Sequence, residues 1–229
     1  DVDTSHFNGN QPAMVSLEGA YSNSNKINQI KSMPGINRYS LDKLNLIMDK
    51  VSKLKIPMVA LFPYTPKNKK NKFGTEALNE NNLVCRAITQ IKKKYNNIGI
   101  MTDVALDPYT DHGHDGLIVD GKINNDETVK ILVKQSILQT QMGSDVIAPS
   151  DMMDGRIGAI RKALDKNKFI DTKIISYAVK YASNFYGPFR DAVGSKKNLI
   201  GDKKTYQMDF KNSNEALREV AFDIKEGAD

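Results

Sequence analysis

The sequence has 229 residues, enough to bury one large core and too few for two comfortable average domains. Its hydrophobic share of 40% and charged share of 26% are those of an ordinary globular chain, which excludes global disorder. The net charge of +6 sits in short lysine runs such as Lys67, Lys69, Lys70 and Lys72, without the interleaved aromatics of a single-strand binding face. A solvated basic surface is therefore expected, and no nucleic-acid partner.

Cys85 is the only cysteine, so an intrachain disulfide and a zinc site built from several thiolates are both excluded. No signal peptide is legible in these residues and no apolar run is long enough to span a membrane. A cytoplasmic location is expected.

Residues 1–26 are rich in Asn, Ser and Gly without a sustained period, and read as loop. Ser40 can cap a helix whose apolar face is Leu41, Leu44, Met48, Val51 and Leu54. The apolar run 58–62, ended by Pro63, reads as a buried parallel strand. A helix carrying Leu83, Ala87, Ile88 and Ile91 follows, then a strand around 98–106. The next helix carries Val129, Leu132, Val133, Ser136, Ile137 and Thr140, and Gly143 can end it. Residues 145–149 form the next strand, Ile157, Ile160 and Leu164 mark a helix, and 174–179 form a fourth strand. The last helix carries Leu217, Val220, Ala221 and Ile224, with Gly227 near its end.

Strands alternating with helices imply parallel strands joined by helical crossovers, in a doubly wound sheet or a TIM barrel. No Gly-rich turn follows the first strand, so a dinucleotide site is poorly supported. Asp107, Ser150, Asp151 and Lys180 instead cluster just after strand C-termini, where a barrel places its chemistry. The expected fold is an α/β TIM (β/α)8 barrel, incomplete in this chain, with about four to five βα units present.

Four groups of residues carry chemistry. Lys180 closes the apolar strand Ser176-Tyr177-Ala178-Val179. A lysine amine attacks a ketone only when unprotonated, a state that burial or a second cation favours. A strand-end lysine is thus either a Schiff-base nucleophile or a side chain snorkelling from the barrel rim. Arg190 follows Phe185-Tyr186-Gly187-Pro188-Phe189, and Lys203 and Gln207 come after a polar segment that reads as a lid. Arg190 can hold a carboxylate through two parallel hydrogen bonds and Lys203 can add a point charge; the alternative is local pairing with Asp191 and Asp202. The stretch 103–116 packs Asp103, Asp107, Asp111, His112, His114 and Asp115 around a strand end. It suits a hard cation, or is a polar turn with self-capping aspartates. Ser150 and Asp151 can orient a substrate, while Asp154 can cap the next helix.

Ser32-Met33-Pro34-Gly35, 103–116, 148–156 and 180–190 together resemble, in order, the motifs of the porphobilinogen synthase (5-aminolevulinate dehydratase) family. The resemblance covers about 30–229, a partial barrel domain, and leaves 1–29 as an unmatched segment where the family's first barrel strand should lie. It implies a lyase that condenses two molecules of 5-aminolevulinate into porphobilinogen, on the route to haem. It also implies a homo-octamer in the full-length protein.

By the same resemblance Lys180 is a Schiff-base lysine and Asp103 the strand-end aspartate near the condensing substrates. Arg190 and Lys203 are the carboxylate clamp, with Gln207 beside them. Zinc-dependent relatives carry three cysteines where this chain has Ala105, Asp107 and Asp115, so no catalytic zinc is expected, and Asp107 and Asp115 are candidate metal ligands. Glu219 matches the glutamate of an allosteric magnesium site. The family's second Schiff-base lysine, in a Met-Val-Lys-Pro motif on the next strand, is expected beyond Asp229. The sequence therefore reads as C-terminally truncated, and an inactive fragment of the enzyme is the alternative reading. A class I aldolase is a further alternative, against which the aspartate-histidine loop argues.

Overall fold

The computed structural model describes residues 12–19, 25–195 and 199–229. The elements in chain order are β1 (Ala13–Leu17), β2 (Ile27–Gln29), β3 (Asn37–Tyr39), α1 (Leu44–Lys53), β4 (Met58–Pro63), α2 (Leu83–Lys94) and β5 (Gly99–Val104). They continue with β6 (Leu117–Val119), β7 (Lys122–Asn124), α3 (Asn125–Met142), β8 (Val146–Pro149), α4 (Arg156–Lys166), β9 (Lys173–Ile174), α5 (Gly187–Ala192) and α6 (Ser213–Glu226).

One sheet runs in the order β2-β3-β1-β4-β5-β8-β9. From β1 to β9 the pairings are all parallel and neighbours in space are neighbours in the chain of βα units. A doubly wound sheet would reverse the order of its βα strands at a switch point, and from β1 to β9 none occurs; the short β2 and β3 only extend the sheet beyond β1. The helices decide the matter further, because the crossovers pack on a single face. Val59, Leu61 and Ile100 meet Leu44, Met48, Ile88 and Ile91 of α1 and α2 in one core. Val104, Ile147 and Ile174 meet Leu132 of α3 and Ile157, Ile160 and Leu164 of α4 in a second core. The alternate residues Ala60, Phe62, Met101, Val146 and Ala148 form a separate cluster on the opposite face. Strand alternation thus separates a helix-covered outer face from an inner face. One-sided crossovers with consecutive strand order are five βα units of a TIM barrel, open along β9 among the described residues.

Several sequence expectations change here. Residues 13–17, read as loop, are a strand with Ala13, Val15 and Leu17 fully buried against α1. The segment 1–29 therefore contributes β1 and β2 to the common sheet; its residues 1–11 and 20–24 lie outside the described ones. The fourth expected strand keeps a two-residue ladder, although the N–H groups of Ile175 and Tyr177 still donate to the carbonyls of Ile147 and Pro149. Ser40 precedes a 3-10 turn (Leu41–Lys43) before α1 and makes no side-chain cap; its hydroxyl bonds Lys26 instead. Asparagines do the capping: Asn82, Asn124 and Asn212 accept from the first-turn N–H groups of α2, α3 and α6. Asp154 does not cap α4, whose N-cap is Gly155. Leu54 is exposed, as are Leu217, Ala221 and Ile224, because α6 turns Ala216 and Asp223 inward. No helix among the described residues is long and apolar enough to cross a membrane.

Candidate active site

The C-terminal ends of the parallel strands open into a cavity of about 310 Å³. Its polar lining is Asp103, Asp107, Ser150, Lys180, Arg190, Lys203 and Gln207. These residues are spread over more than a hundred positions of sequence, and strand-end geometry brings them together. Its apolar walls include Phe62, Tyr177, Tyr186 and Phe189; Tyr186 and Phe189 belong to the block before Arg190, whereas Phe62 and Tyr177 were read only as strand residues. Phe62 meets Phe189 edge to face, with ring centroids 5.0 Å apart. Phe62 and Tyr177 sit at strand ends, so their position relative to the strands was the available signal.

Lys180 extends its ammonium to the Ser150 carbonyl at 2.6 Å, and its Nζ stands 5.9 Å and 5.8 Å from the ring centroids of Tyr177 and Tyr186. It points into the cavity and does not snorkel to a rim. The backbone beyond Lys180 is fixed by an exchange of hydrogen bonds with Met208, which ties the strand end to the segment carrying Lys203 and Gln207.

Asp103 ends β5 on the inner face. Burial pushes its carboxyl up to about 7; Ser150 and Lys180 pull it down and Asp107 pushes it further up. Its Oδ1 is buried without a hydrogen-bond partner, as is Oε1 of Gln207. Such atoms are costly in a closed core and serve a site that receives a polar ligand. Two buried glutamines one helical turn apart on α3 hold this strand end, Gln139 donating to the Asp103 carbonyl and Gln135 to that of Ala105.

Lys203 is 5% exposed and donates to Asp115 at 2.9 Å and Asp107 at 3.3 Å. Burial disfavours its charge, but the two aspartates outweigh burial and raise its pKa. For Asp107 burial acts upward, yet Lys203 and Lys180 prevail and hold it below the usual carboxylate range. Asp115 is raised, because burial and Asp107 together outweigh Lys203. The expected metal-ligand pair Asp107 and Asp115 is thus engaged by an internal ammonium, not directed at an open cation position. Among the described residues no group of three or more His, Cys, Asp and Glu side chains could hold a metal ion.

The alternative of local pairing, Lys203 with Asp202 and Arg190 with Asp191, finds no ion pair among the described residues. Asp202 accepts from the Lys204 N–H, and Asp191 accepts from the Ser32 hydroxyl. The Arg190 guanidinium lines the cavity without a hydrogen bond or ion pair to any described residue. An ammonium has three donors, so Lys203 keeps one beyond its two aspartates.

The aspartate-histidine loop holds down the segment bearing these cations. His114 meets the Tyr206 hydroxyl through Nδ1 at 3.0 Å and the Ile200 carbonyl through Nε2 at 2.7 Å, and the Ile200 N–H donates to the His112 carbonyl.

Asp151 stands apart from the cavity, contrary to expectation. It is fully buried, accepts from the Met153 N–H and lies 3.4 Å from Arg156. Burial, opposed by Arg156, brings it up to about 6. Glu219 also lies outside the cavity, on α6. Burial raises its carboxyl, and Asp154 and Asp223 add to the rise.

The family model of delta-aminolevulinic acid dehydratase matches residues 20–229. The delta-aminolevulinic acid dehydratase of Bradyrhizobium diazoefficiens is 59% identical over 205 residues, covering 90% of this chain and 58% of that protein. The Chlamydia pneumoniae protein of the same name is 46% identical, covering 88% of this chain and 60% of that protein. The crystal structure of delta-aminolevulinic acid dehydratase (porphobilinogen synthase) from Toxoplasma gondii, in complex with the reaction product porphobilinogen, superposes with a TM-score of 0.90 at 42% identity. It covers 95% of this chain and 61% of that one. The chain spans about three-fifths of the length of the relatives it matches. With the match beginning at residue 20, and not near residue 30, the chain belongs to the delta-aminolevulinic acid dehydratase family.

Proposed function

We propose that the protein containing this chain is a porphobilinogen synthase, condensing two molecules of 5-aminolevulinate, with Lys180 forming a Schiff base to one of them. The observation that carries this reading is the convergence on one cavity at the strand ends of Lys180 and of Arg190, whose guanidinium bonds no described residue.

Arg190 takes the substrate carboxylate in a bidentate grip, with the remaining donor of Lys203 and the amide of Gln207 beside it. That grip fixes the ketone against Lys180 between the walls of Phe62, Tyr177, Tyr186 and Phe189. The unprotonated amine of Lys180 attacks the ketone carbon, and the resulting carbinolamine loses its hydroxyl as water to leave an iminium. Asp103, its carboxyl raised to about 7, is matched to giving a proton to that departing hydroxyl and retrieving one from the carbon beside the iminium. The alternative of an inactive fragment draws no support from the site, where lysine, arginine and Asp103 converge.

The chemistry of the zinc-type positions, Ala105, Asp107 and Asp115, lacks thiolates, and the aspartates serve Lys203. We therefore propose a reaction without catalytic zinc. Magnesium keeps several waters and needs only one or two protein carboxylates. Glu219, with Asp154 and Asp223 bearing on it, fits that requirement as an allosteric site outside the cavity, where the ion would supply fixed positive charge. The homo-octamer and the cytoplasmic location remain parts of the same reading.

The test is porphobilinogen formation by the full-length protein and its Lys180→Arg variant. The expected result is turnover in the first and a loss of about 10³-fold or more in the second, with circular dichroism unchanged. Undiminished turnover in Lys180→Arg would refute the role given to this lysine.

A further inference from the structure

We infer that Arg38, on β3, is a positioning residue that anchors the segment presenting Arg190 to the cavity. This inference rests on the reading of the site given above. Arg190 belongs to α5, a helix of six residues with no long hydrophobic face to hold it. The following N–H groups serve the Phe189, Arg190 and Asp191 carbonyls, but the Ala192 carbonyl and the second lone pair of Asp191 take partners from elsewhere.

Arg38 supplies them. Its Nη1 donates to the Ala192 carbonyl at 3.2 Å and the Asp191 carbonyl at 3.4 Å, a cation at a helix C-terminus. Its Nε donates to Glu18 at 3.2 Å, just past β1, and its guanidinium lies 4.1 Å from the centroid of Tyr64, just past β4. Glu18 is 8% exposed and is held in turn by the Asn28 amide at 2.8 Å. A single planar side chain therefore links two barrel strand ends to the backbone beside Arg190.

The docking is close on the same side. Gly194 has a φ of +70°, and a Cβ there would stand 2.4 Å from Cε2 of Tyr64. A lysine at position 38 cannot reproduce this arrangement, because it has no fork to bond Glu18 and two carbonyls while stacking on a ring.

Arg38→Lys in the full-length protein tests the inference by two independent readouts. Amide hydrogen exchange needs no substrate. The N–H groups of Val193, Gly194 and Ser195, which bond Phe189, Asp191 and Arg190 carbonyls, should exchange about tenfold faster, the loss expected of one charge-assisted contact. Exchange in α1 and β4 should be unchanged, which separates local release from general loosening. In steady state KM for 5-aminolevulinate should rise about tenfold with kcat within about twofold, the pattern of weakened carboxylate binding. Glu18→Gln should show the same pattern more weakly. Unchanged exchange at 193–195, or a fall in kcat with KM unchanged, would overturn the inference. Faster exchange together with an Arg190→Leu variant of normal KM would instead overturn the role of Arg190 and leave the anchoring by Arg38 standing.

Discussion

The two ends of the same strands differ in kind. Midway along β4 and β5, Val59, Leu61 and Ile100 are fully buried against α1 and α2 in a cluster without a single ionisable carboxylate or amine. A few residues further along, the strands end among Asp103, Asp107, Asp115, Lys180 and Lys203, with buried oxygens of Asp103, Asp115 and Gln207 left unpaired. The first region is built of apolar side chains that need no polar partner. The second holds groups at an energetic cost that the first must offset. The lesson is a division of labour along a strand: side chains toward the helices stabilise, and side chains at the C-terminal end do chemistry.

Three changes can break or sharpen this contrast. Ile100→Ala should have the largest effect, a loss of about 3 kcal/mol in unfolding free energy, since a fully buried side chain leaves a cavity behind. Chemical denaturation measures it, and the substrate affinity of the folded fraction should be unchanged. A loss of affinity at full folding would show that the two regions are not separable.

Asp103→Asn should come next. The ordinary carboxyl value is 3.8, and burial raises the native one to about 7. Below the lower value both states are protonated and nothing is lost. Between the two values the unfolded chain releases the proton while the native state keeps it, so stability falls as pH rises. Above about 7 the loss is constant, on the order of a few kcal/mol at most. The variant should therefore gain on the parent as pH rises from 4 to 7, and the difference should then level off. Thermal midpoints of both proteins that run parallel across this range would contradict the raised carboxyl.

Glu219→Ala should have the smallest effect, at most about 1 kcal/mol on stability because the site is partly exposed. It should abolish stimulation by magnesium, read as activity against added ion. A magnesium response equal to that of the parent would remove Glu219 from the account.

Much of this contrast was legible in the sequence, and the exceptions share a cause. β4 and β8 are continuous apolar runs because both of their faces are buried, and β5 departs from one only at Thr102 and Asp103 near the site. β1 escaped notice because Ser16 interrupts it and Glu18 follows it directly, and Glu18 is tolerated in a buried place through Asn28 and Arg38, ten and twenty residues away. The strand ending at Lys180 shows a shorter ladder than its composition implies, since hydrogen bonds reach it from β8 on one side. The apolar residues of α6 promised a buried face, yet Leu217 and Ile224 are 70% and 64% exposed. In the site, Lys180, Asp103, Ser150, Arg190, Lys203 and Gln207, all singled out in the sequence, line one cavity. Asp151 was not, because the guanidinium that claims it comes from Arg156, and strand-end position alone does not reveal a partner inside the wall. For Lys203 the sequence offered substrate or local pairing with Asp202, and its bonds to Asp107 and Asp115 were hidden because they span about ninety residues of chain.

The central claim, that Lys180 is a nucleophile in this cavity and not a rim lysine, is tested most directly by trapping. Full-length protein is treated with 5-aminolevulinate and borohydride, digested, and mapped by mass spectrometry. A reduced substrate adduct on Lys180 is expected, absent when borohydride or substrate is omitted. An adduct confined to other lysines, with Lys180 unmodified, would contradict the claim.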